Sequence, residues 1–159
     1  MLANPTSQIS VLIINDSAYM STLLKDLISN ESIRVCDVAR DGVEGLRKMA
    51  LYKPDIILLD LEMPRMDGVT FIEEMVKRGK LVPTILVSSF SQDGAKIVLD
   101  ALENGAIDFV PISMSNQDGT NQLKEILITK ITGAVKCDPH KMVLERLGNL
   151  KPKRKGIIS

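Results

Sequence analysis

Acidic and polar side chains stand at the ends of two apolar runs, where they could form one polar site. Asn15 and Asp16 follow the run Ile9–Ile14, and Asp60 follows the run Asp55–Leu59. Two carboxylates that are brought together repel each other, which raises the pKa of one of them unless a cation lies between them. Because only oxygen ligands are on offer, such a pair favours Mg²⁺ over zinc. The simpler alternative is that Asp16 caps a helix and Asp60 begins a turn.

Five short apolar runs alternate along the chain with longer segments of helical period. The third run, DIILLD, is apolar throughout its middle, as expected of a strand that is covered on both faces. The runs predicted as strands are Ile9–Ile14, Ile33–Val38, Asp55–Leu59, Pro83–Val87 and Ile107–Val110. The predicted helices are Ser17–Ser29, Gly42–Leu51, Val69–Arg78, Gly94–Glu103 and about Gln122–Val135.

This alternation predicts an α/β fold in which a parallel sheet lies between two layers of helices. Short connections between alternating strands and helices imply right-handed crossovers. Five strands and five helices fit the three-layer flavodoxin-like (βα)5 arrangement with strand order 2-1-3-4-5. In this order the first and third strands are neighbours, so Asp16 and Asp60 share the crevice at their carboxyl ends.

The composition excludes several classes of protein. The chain has 159 residues and is 45% hydrophobic, which is enough for a real core. Aromatic residues make up only 3% and Trp is absent, so binding of single-stranded nucleic acid by stacked rings is excluded. One His and two Cys cannot form a typical structural zinc site. No secretory signal and no membrane-spanning run is visible, so we expect a cytoplasmic protein with no membrane partner.

The charges are distributed unevenly, although the 20 basic and 20 acidic residues balance overall. Residues 1–135 contain 13 basic and 18 acidic residues, whereas residues 136–159 contain 7 basic and 2 acidic residues. We therefore predict a domain over residues 1–135, followed by a basic C-terminal tail or the start of an interdomain linker over 136–159. His140–Leu147 could form a short helix within this tail. Because no helix-turn-helix-like segment accompanies the basic cluster, we do not expect nucleic acid as a partner.

Several motifs resemble those of bacterial and archaeal response-regulator receiver domains, in the order that the family shows. They are IINDSAYM, DIILLDLEMPRMDG, ILVSSFS and NGAIDFVP, and the resemblance covers roughly residues 9–135. The receiver half of the chemotaxis protein-glutamate methylesterase is the part of the family that these motifs resemble most. The motifs concerned are ARDGVEGL, LEMPRMDG, VSSFSQDGA and ALENGAIDFVP. The resemblance implies a role in two-component chemotaxis signalling, a histidine kinase as partner, and a fused or separate output domain.

The same resemblance implies a role for individual residues. Asp60 would be the phosphoacceptor, whose carboxylate attacks the phosphoryl group of a kinase phosphohistidine. Mg²⁺ would be bound by Asp16, Asp60 and the backbone carbonyl of Glu62. Ser88 would donate a hydrogen bond to the phosphoryl group, and Phe109 would be the switch aromatic. The alternatives are that Ser88 is an ordinary strand-end hydroxyl and that Phe109 is an ordinary core residue.

Two positions depart from the family's pattern. Asn15 stands where the family usually has an acidic residue; it can hold a metal-bound water but adds no charge, so we expect weaker Mg²⁺ binding. Ile112 stands where the family has a lysine that contacts the phosphoryl group, and it can supply neither charge nor hydrogen bond. Lys124 and Lys130 lie in the last helix and are poor substitutes by position. Since Ser113 replaces the usual proline, the bond before it is predicted to be trans, because a cis bond costs about 2.5–4 kcal/mol here.

Two functions therefore stay open. The chain is either a phosphorylatable receiver that switches the face formed by helix four, strand five and helix five, or a pseudo-receiver that binds proteins independently of phosphorylation. A cofactor site of the flavodoxin kind is disfavoured, because NDSAYM follows strand one in place of a Ser/Thr/Gly-rich phosphate loop. No hydrolase motif is present and the one histidine, His140, lies in the tail, so we expect no methylesterase activity from this polypeptide. The sequence leaves open whether it is a segment of a longer protein or a receiver that acts alone.

Overall fold

The computed structural model describes residues 7–89, 94–112, 118–142 and 144–145. Within these ranges strands and helices alternate as predicted. The strands are β1 (Ile9–Ile14), β2 (Ile33–Ala39), β3 (Ile56–Leu59), β4 (Thr84–Ser89) and β5 (Asp108–Ile112). The helices are α1 (Ala18–Ile28), α2 (Gly42–Tyr52), α3 (Gly68–Lys77), α4 (Gly94–Asn104) and α5 (Asp118–Ala134).

The strands form one parallel sheet in the order β2-β1-β3-β4-β5, which confirms the predicted fold. β1 and β3 are neighbours, with Ile14 paired to Leu59 at their carboxyl ends. The pairing continues one residue further, since the N–H of Asp60 donates to the carbonyl of Ile14 at 2.9 Å. The backbone of Asp60 is therefore held beside Asn15.

The two faces of the sheet bury two hydrophobic clusters. Helices α1 and α5 cover one face, and α2, α3 and α4 cover the other. β3 contributes to both clusters and none of its four residues is more than 1% exposed, which confirms a strand covered on both faces. Ile56 and Leu58 lie in the first cluster, and Ile57 and Leu59 lie in the second. The apolar run stops at Asp60, so this carboxylate lies at the edge of the core, where the crevice begins.

The last two strands and the last helix differ most from their predicted bounds, and β4 ends at Ser89 rather than Val87. β5 continues through Pro111 to Ile112; it is an edge strand and Pro111 is exposed, a position at which proline is tolerated in a sheet. α5 begins at Asp118 rather than near Gln122. Its early residues 120–122 are polar and exposed, and its first contact with the core comes at Leu123. A polar first turn carries no apolar period, so the sequence pattern does not reveal it.

After α5 the chain turns and enters a further helical segment. Residues 139–142 and 144–145 are helical, and the Asp138 carboxylate accepts a hydrogen bond from the N–H of His140 at 3.0 Å. Pro139 is buried, whereas Leu144 is exposed. Part of the predicted helix His140–Leu147, and the basic cluster that follows it, lie outside the described residues.

In the part of the chain that the structure describes, no helix is both long enough and apolar enough to cross a membrane. Cys36 is partly buried and Cys137 is exposed, and both are free thiols.

Candidate functional site

The carboxylate of Asp60 is partly buried at the carboxyl end of β3, where groups from β4 and from the following loop donate hydrogen bonds to it. The Ser88 hydroxyl donates to Asp60 Oδ1 at 3.0 Å. The backbone N–H groups of Leu61 and Glu62 also act on this carboxylate and lower its pKa. These donors orient the carboxylate and favour its ionised form.

The environment nevertheless raises the pKa of Asp60 above its ordinary value. Burial is the main cause, because it removes water from the charged form, and the negative charge of Asp16 adds to the effect. The hydrogen bonds from Ser88, Glu62 and Leu61 lower the pKa and offset part of the rise. Among the described residues, no lysine or arginine forms an ion pair with Asp60. The site is therefore electrostatically poised to accept a cation.

The two residues that follow β1 have different surroundings. Asn15 is buried, and its Oδ1 accepts a hydrogen bond from the N–H of Ser17 at 2.9 Å. Asp16 is exposed. The cap of α1 is Ser17, whose hydroxyl oxygen accepts from the N–H of Met20 at 3.1 Å. The alternative that Asp16 merely caps this helix is therefore wrong, and Asp16 supplies a second carboxylate to the crevice.

The donors in the crevice suit a hard divalent cation. They are the carboxylates of Asp16 and Asp60 and the amide of Asn15, all of which offer oxygen, and the family resemblance adds the backbone carbonyl of Glu62, an exposed residue. Among the described residues, no group of three or more His, Cys, Asp and Glu side chains converges as a metal cluster. A cation here would depend on Asp16 and Asp60, with carbonyl, water or substrate oxygen in its other positions. Mg²⁺ is commonly bound in this way.

Ser88 and Phe109 lie on neighbouring strands, since β4 pairs with β5. The hydrogen bond of Ser88 to Asp60 places this hydroxyl beside the carboxylate, and its role toward a phosphoryl group stays a prediction. Phe109 is paired with Leu86, is partly buried and packs against the second hydrophobic cluster. Its role as a switch aromatic stays a prediction.

Ile112 is only 5% exposed and belongs to the first hydrophobic cluster. The residue that stands in the place of the family's lysine therefore adds to the core. Lys130 is no substitute, because its ammonium donates to Asp108 Oδ2 at 2.7 Å, at the opposite end of β5 from Ile112. Lys124 is exposed on α5. Ser113 lies outside the described residues, so the trans bond before it stays a prediction.

Sequence reasoning missed an ion pair between the buried Asp41 and the exposed Arg65, on the loop that follows Asp60. The Asp41 carboxylate is 2% exposed; its Oδ1 accepts from the N–H of Glu44 at 2.9 Å, and its Oδ2 accepts from Arg65 Nε at 2.6 Å. Burial by itself raises the pKa of Asp41, but the Glu44 N–H and the Arg65 guanidinium together hold it below its ordinary value. Asp41 followed by glycine is a helix-start signal, whereas nothing local links it to a partner 24 residues away.

The chain resembles known proteins over most of its length. Residues 11–124 match the response regulator receiver domain family. The chain is 40% identical over 146 residues to a protein-glutamate methylesterase/protein-glutamine glutaminase of Pyrococcus horikoshii, a match that covers 91% of this chain and 39% of the relative. It is 46% identical over 125 residues to the protein of the same name from Sulfurimonas denitrificans, covering 77% of this chain and 35% of the relative.

The structural comparison agrees with the sequence matches. The crystal structure of the response regulator domain of Thermotoga maritima CheB superposes with a TM-score of 0.73 and 37% identity, covering 83% of this chain and 99% of that domain. The chain spans 39% of the length of the Pyrococcus relative and 35% of the Sulfurimonas relative. With its sheet order and its carboxylate crevice, the chain belongs to the response regulator receiver domain family and is a receiver of the two-component, chemotaxis type.

Proposed function

We propose that this chain accepts a phosphoryl group on Asp60 from the phosphohistidine of a histidine kinase, with Mg²⁺ as cofactor. The observation that carries the proposal is the hydrogen bond of 3.0 Å from Ser88 to Asp60, at the sheet edge that also carries Asp16. A hydroxyl that donates to the free carboxylate is well placed to donate to a phosphoryl oxygen once the group is attached. The receiver family and the chemotaxis relatives support the same role.

The chemistry is nucleophilic attack by a carboxylate. A carboxylate oxygen of Asp60 forms a bond to phosphorus, the phosphorus–nitrogen bond breaks, and the kinase imidazole keeps the electron pair and takes up a proton. The backbone N–H groups of Leu61 and Glu62, with Ser88, hold the carboxylate in position for this attack. When bound, Mg²⁺ neutralises charge on the phosphoryl oxygens. Asp16, Asp60 and the Glu62 carbonyl would hold it, with Asn15 acting through a water.

Phosphoryl uptake from a small donor tests the proposal directly. Wild-type protein incubated with acetyl phosphate and MgCl₂ should gain one phosphoryl mass, located on Asp60 by mass spectrometry and lost when the metal is chelated before incubation. Asp60→Asn should take up none. Asp26→Asn, which neutralises an exposed carboxylate on α1, should behave as wild type. No uptake by the wild type, or equal uptake by Asp60→Asn, would contradict the proposal.

A second candidate function is a pseudo-receiver that binds proteins independently of phosphorylation. The burial of Ile112 favours it, because no ammonium stands where the family reads the phosphoryl group. A beryllium fluoride titration with Mg²⁺, followed by NMR, separates the two candidates. A degenerate but active receiver should bind the analogue with small shifts in α4, β5 and α5. A pseudo-receiver should bind neither metal nor analogue, and large shifts throughout this face would indicate an ordinary switch.

The partners and the domain boundary are part of the same proposal. By likeness to its relatives, we propose that the receiver controls a methylesterase domain, whether fused or separate. Residues 1–135 would be the receiver unit, and residues 136–159 the tail or linker that leads away from it. The end of α5 at Ala134 supports this boundary. The cytoplasmic location stays a prediction.

A further inference from the structure

An ion pair between Arg65 and Asp41 joins the loop that follows Asp60 to the start of α2. We propose that Arg65 acts through this ion pair as a positioning residue for the phosphoacceptor site. The segment concerned, residues 61–67 between β3 and α3, is called the β3–α3 loop below. It contains the carbonyl of Glu62, and also the backbone N–H groups of Leu61 and Glu62, which lower the pKa of Asp60. The inference rests on the proposed function, since it assigns Arg65 a task at the site that accepts the phosphoryl group.

The ion pair between Arg65 and Asp41 joins an exposed side chain to a buried one. The Arg65 side chain is 64% exposed, whereas that of Asp41 is 2% exposed. Both Nε and Nη2 of the guanidinium donate to Asp41 Oδ2. A carboxylate buried without a cation is strongly unfavourable, so Asp41 holds the guanidinium in this place. The pair thereby links the β3–α3 loop to the N-terminus of α2.

The backbone of Arg65 is held in a conformation that side chains rarely adopt. Its φ is +63°, in the left-handed region. The N–H of Met66 donates to the carbonyl of Pro64 at 2.7 Å and closes a tight turn centred on Arg65. Such a conformation persists only where surrounding contacts hold it, and it is found preferentially at functional sites.

Two further contacts close the loop around this turn. The N–H of Gly42 donates to the carbonyl of Met66 at 3.0 Å, and a Cβ at Gly42 would lie 2.6 Å from Met66 Cγ, so α2 and the loop are in direct contact. At the other end, the N–H of Gly68 donates to the carbonyl of Leu61 at 3.0 Å. Leu61 accepts one of these hydrogen bonds and Glu62 lies between the two contacts, so a displaced Arg65 would change the path of the backbone that carries their N–H groups.

Asp41 uses one carboxylate oxygen to cap α2 and the other to bind Arg65. Oδ1 accepts from the N–H of Glu44, and Oδ2 accepts from Arg65. Asparagine is as good a helix cap as aspartate. An Asp41→Asn variant can therefore keep the cap through its amide oxygen while it loses the charge that holds Arg65.

The test measures the loop and the metal site in four variants of the full chain. They are Arg65→Gln, Asp41→Asn, the double variant, and the control Lys77→Gln, which removes an exposed cation of α3. Each single variant should shift the amide NMR signals of residues 61 and 62. Each should also weaken Mg²⁺ binding by about tenfold, the lower end of the loss seen when partners of metal ligands are removed. The double variant should lose no more than the larger single loss, and the control should match the wild type.

Two more variants separate the ion pair from the shape of the turn. Glycine adopts positive φ without strain, so Arg65→Gly keeps the turn but loses the ion pair. It should lose Mg²⁺ affinity as Arg65→Gln does, and Arg65→Lys should recover part of the loss. If Arg65→Gly binds Mg²⁺ as the wild type does, with unchanged amide signals, the proposal is overturned. If Arg65→Gln fails to fold, Asp41→Asn with its cap retained decides by the same two measurements.

The outcomes also separate this proposal from the proposed function. A wild type that takes up no phosphoryl group contradicts the proposed function, and shifted amide signals at residues 61 and 62 would still support the positioning role. A wild type that is phosphorylated on Asp60, with variants whose amide signals and Mg²⁺ affinity are unchanged, contradicts the positioning role alone.

Discussion

Replacing Asp60 with asparagine is expected to stabilise the folded protein at neutral pH. Burial and the charge of Asp16 raise the pKa of this carboxyl group. A raised pKa means that the folded state binds the proton more tightly than the unfolded state, so ionisation at neutral pH costs folding free energy. Asparagine is neutral and similar in shape, and its amide oxygen can still accept the hydrogen bond from Ser88.

The gain in the free energy of unfolding is the difference between two opposing effects of the substitution. The variant removes the cost of a buried charge and its repulsion by Asp16, but it weakens the hydrogen bonds that Ser88 and two N–H groups donate to the charged form. The net gain should be about 0.5–2 kcal/mol, the range that a single stabilising substitution commonly gives. In a protein of this size, each kcal/mol corresponds to roughly 2–4 °C in Tm.

The pH dependence tests the cause of the gain. Below the unfolded-state pKa of about 3.9, the carboxyl group is protonated in both states and the advantage of the variant disappears. As the pH rises through the raised folded-state pKa, the wild type loses stability relative to the variant, and the difference is complete above that pKa. Urea unfolding of both proteins over this pH range, with divalent cations removed, measures the difference.

Added Mg²⁺ should reverse the order of stability. Mg²⁺ at 100 times its Kd stabilises the wild type by about 2.7 kcal/mol, whereas the variant lacks one of the two carboxylates. The exposed control Asp26→Asn should stay within about 0.5 kcal/mol of the wild type throughout. A variant that is less stable at pH 7, or an advantage that grows toward acidic pH, would refute the reasoning.

Four further substitutions test the surroundings of the site. Ser88→Ala should slow phosphoryl uptake from acetyl phosphate by roughly 10–100-fold, since a hydrogen bond to a charged group contributes about 1.5–3 kcal/mol; an unchanged rate would remove Ser88 from the site. Asn15→Asp can keep the bond from the Ser17 N–H and should tighten Mg²⁺ binding about tenfold in calorimetry, or 1.4 kcal/mol; weaker binding would contradict a ligand role. Ile112→Ala should lower the free energy of unfolding by about 2–5 kcal/mol in urea, as a buried core position requires, and a loss below 1 kcal/mol would place Ile112 outside the core. The double variant Asn15→Asp, Ile112→Lys should enlarge the NMR response of β5 to beryllium fluoride, and a response no larger than that of the parent would show that neither position limits switching.

The sequence by itself determined the fold and the place of the site. The uninterrupted apolar run of β3 predicts a strand buried on both faces, because only the central strands of a parallel sheet need apolar side chains in both directions. The alternation of strands and helices restricts the connections to right-handed crossovers, and five such units fit the flavodoxin-like strand order that the structure has. Since the carboxyl ends of β1 and β3 then meet, Asn15, Asp16 and Asp60 had to share one edge.

Only the tertiary structure decided what surrounds each of these groups. Both Asp16 and Ser17 are capping types, and the geometry at the end of β1 assigns the cap to Ser17. Asp41 and Arg65 are 24 residues apart, so their pairing depends on how α2 packs beside the β3–α3 loop. Period and capping signals are local and can be read along the chain. The pKa of a carboxylate and the burial of Ile112 depend on groups that are distant in sequence and that only the folded chain brings together.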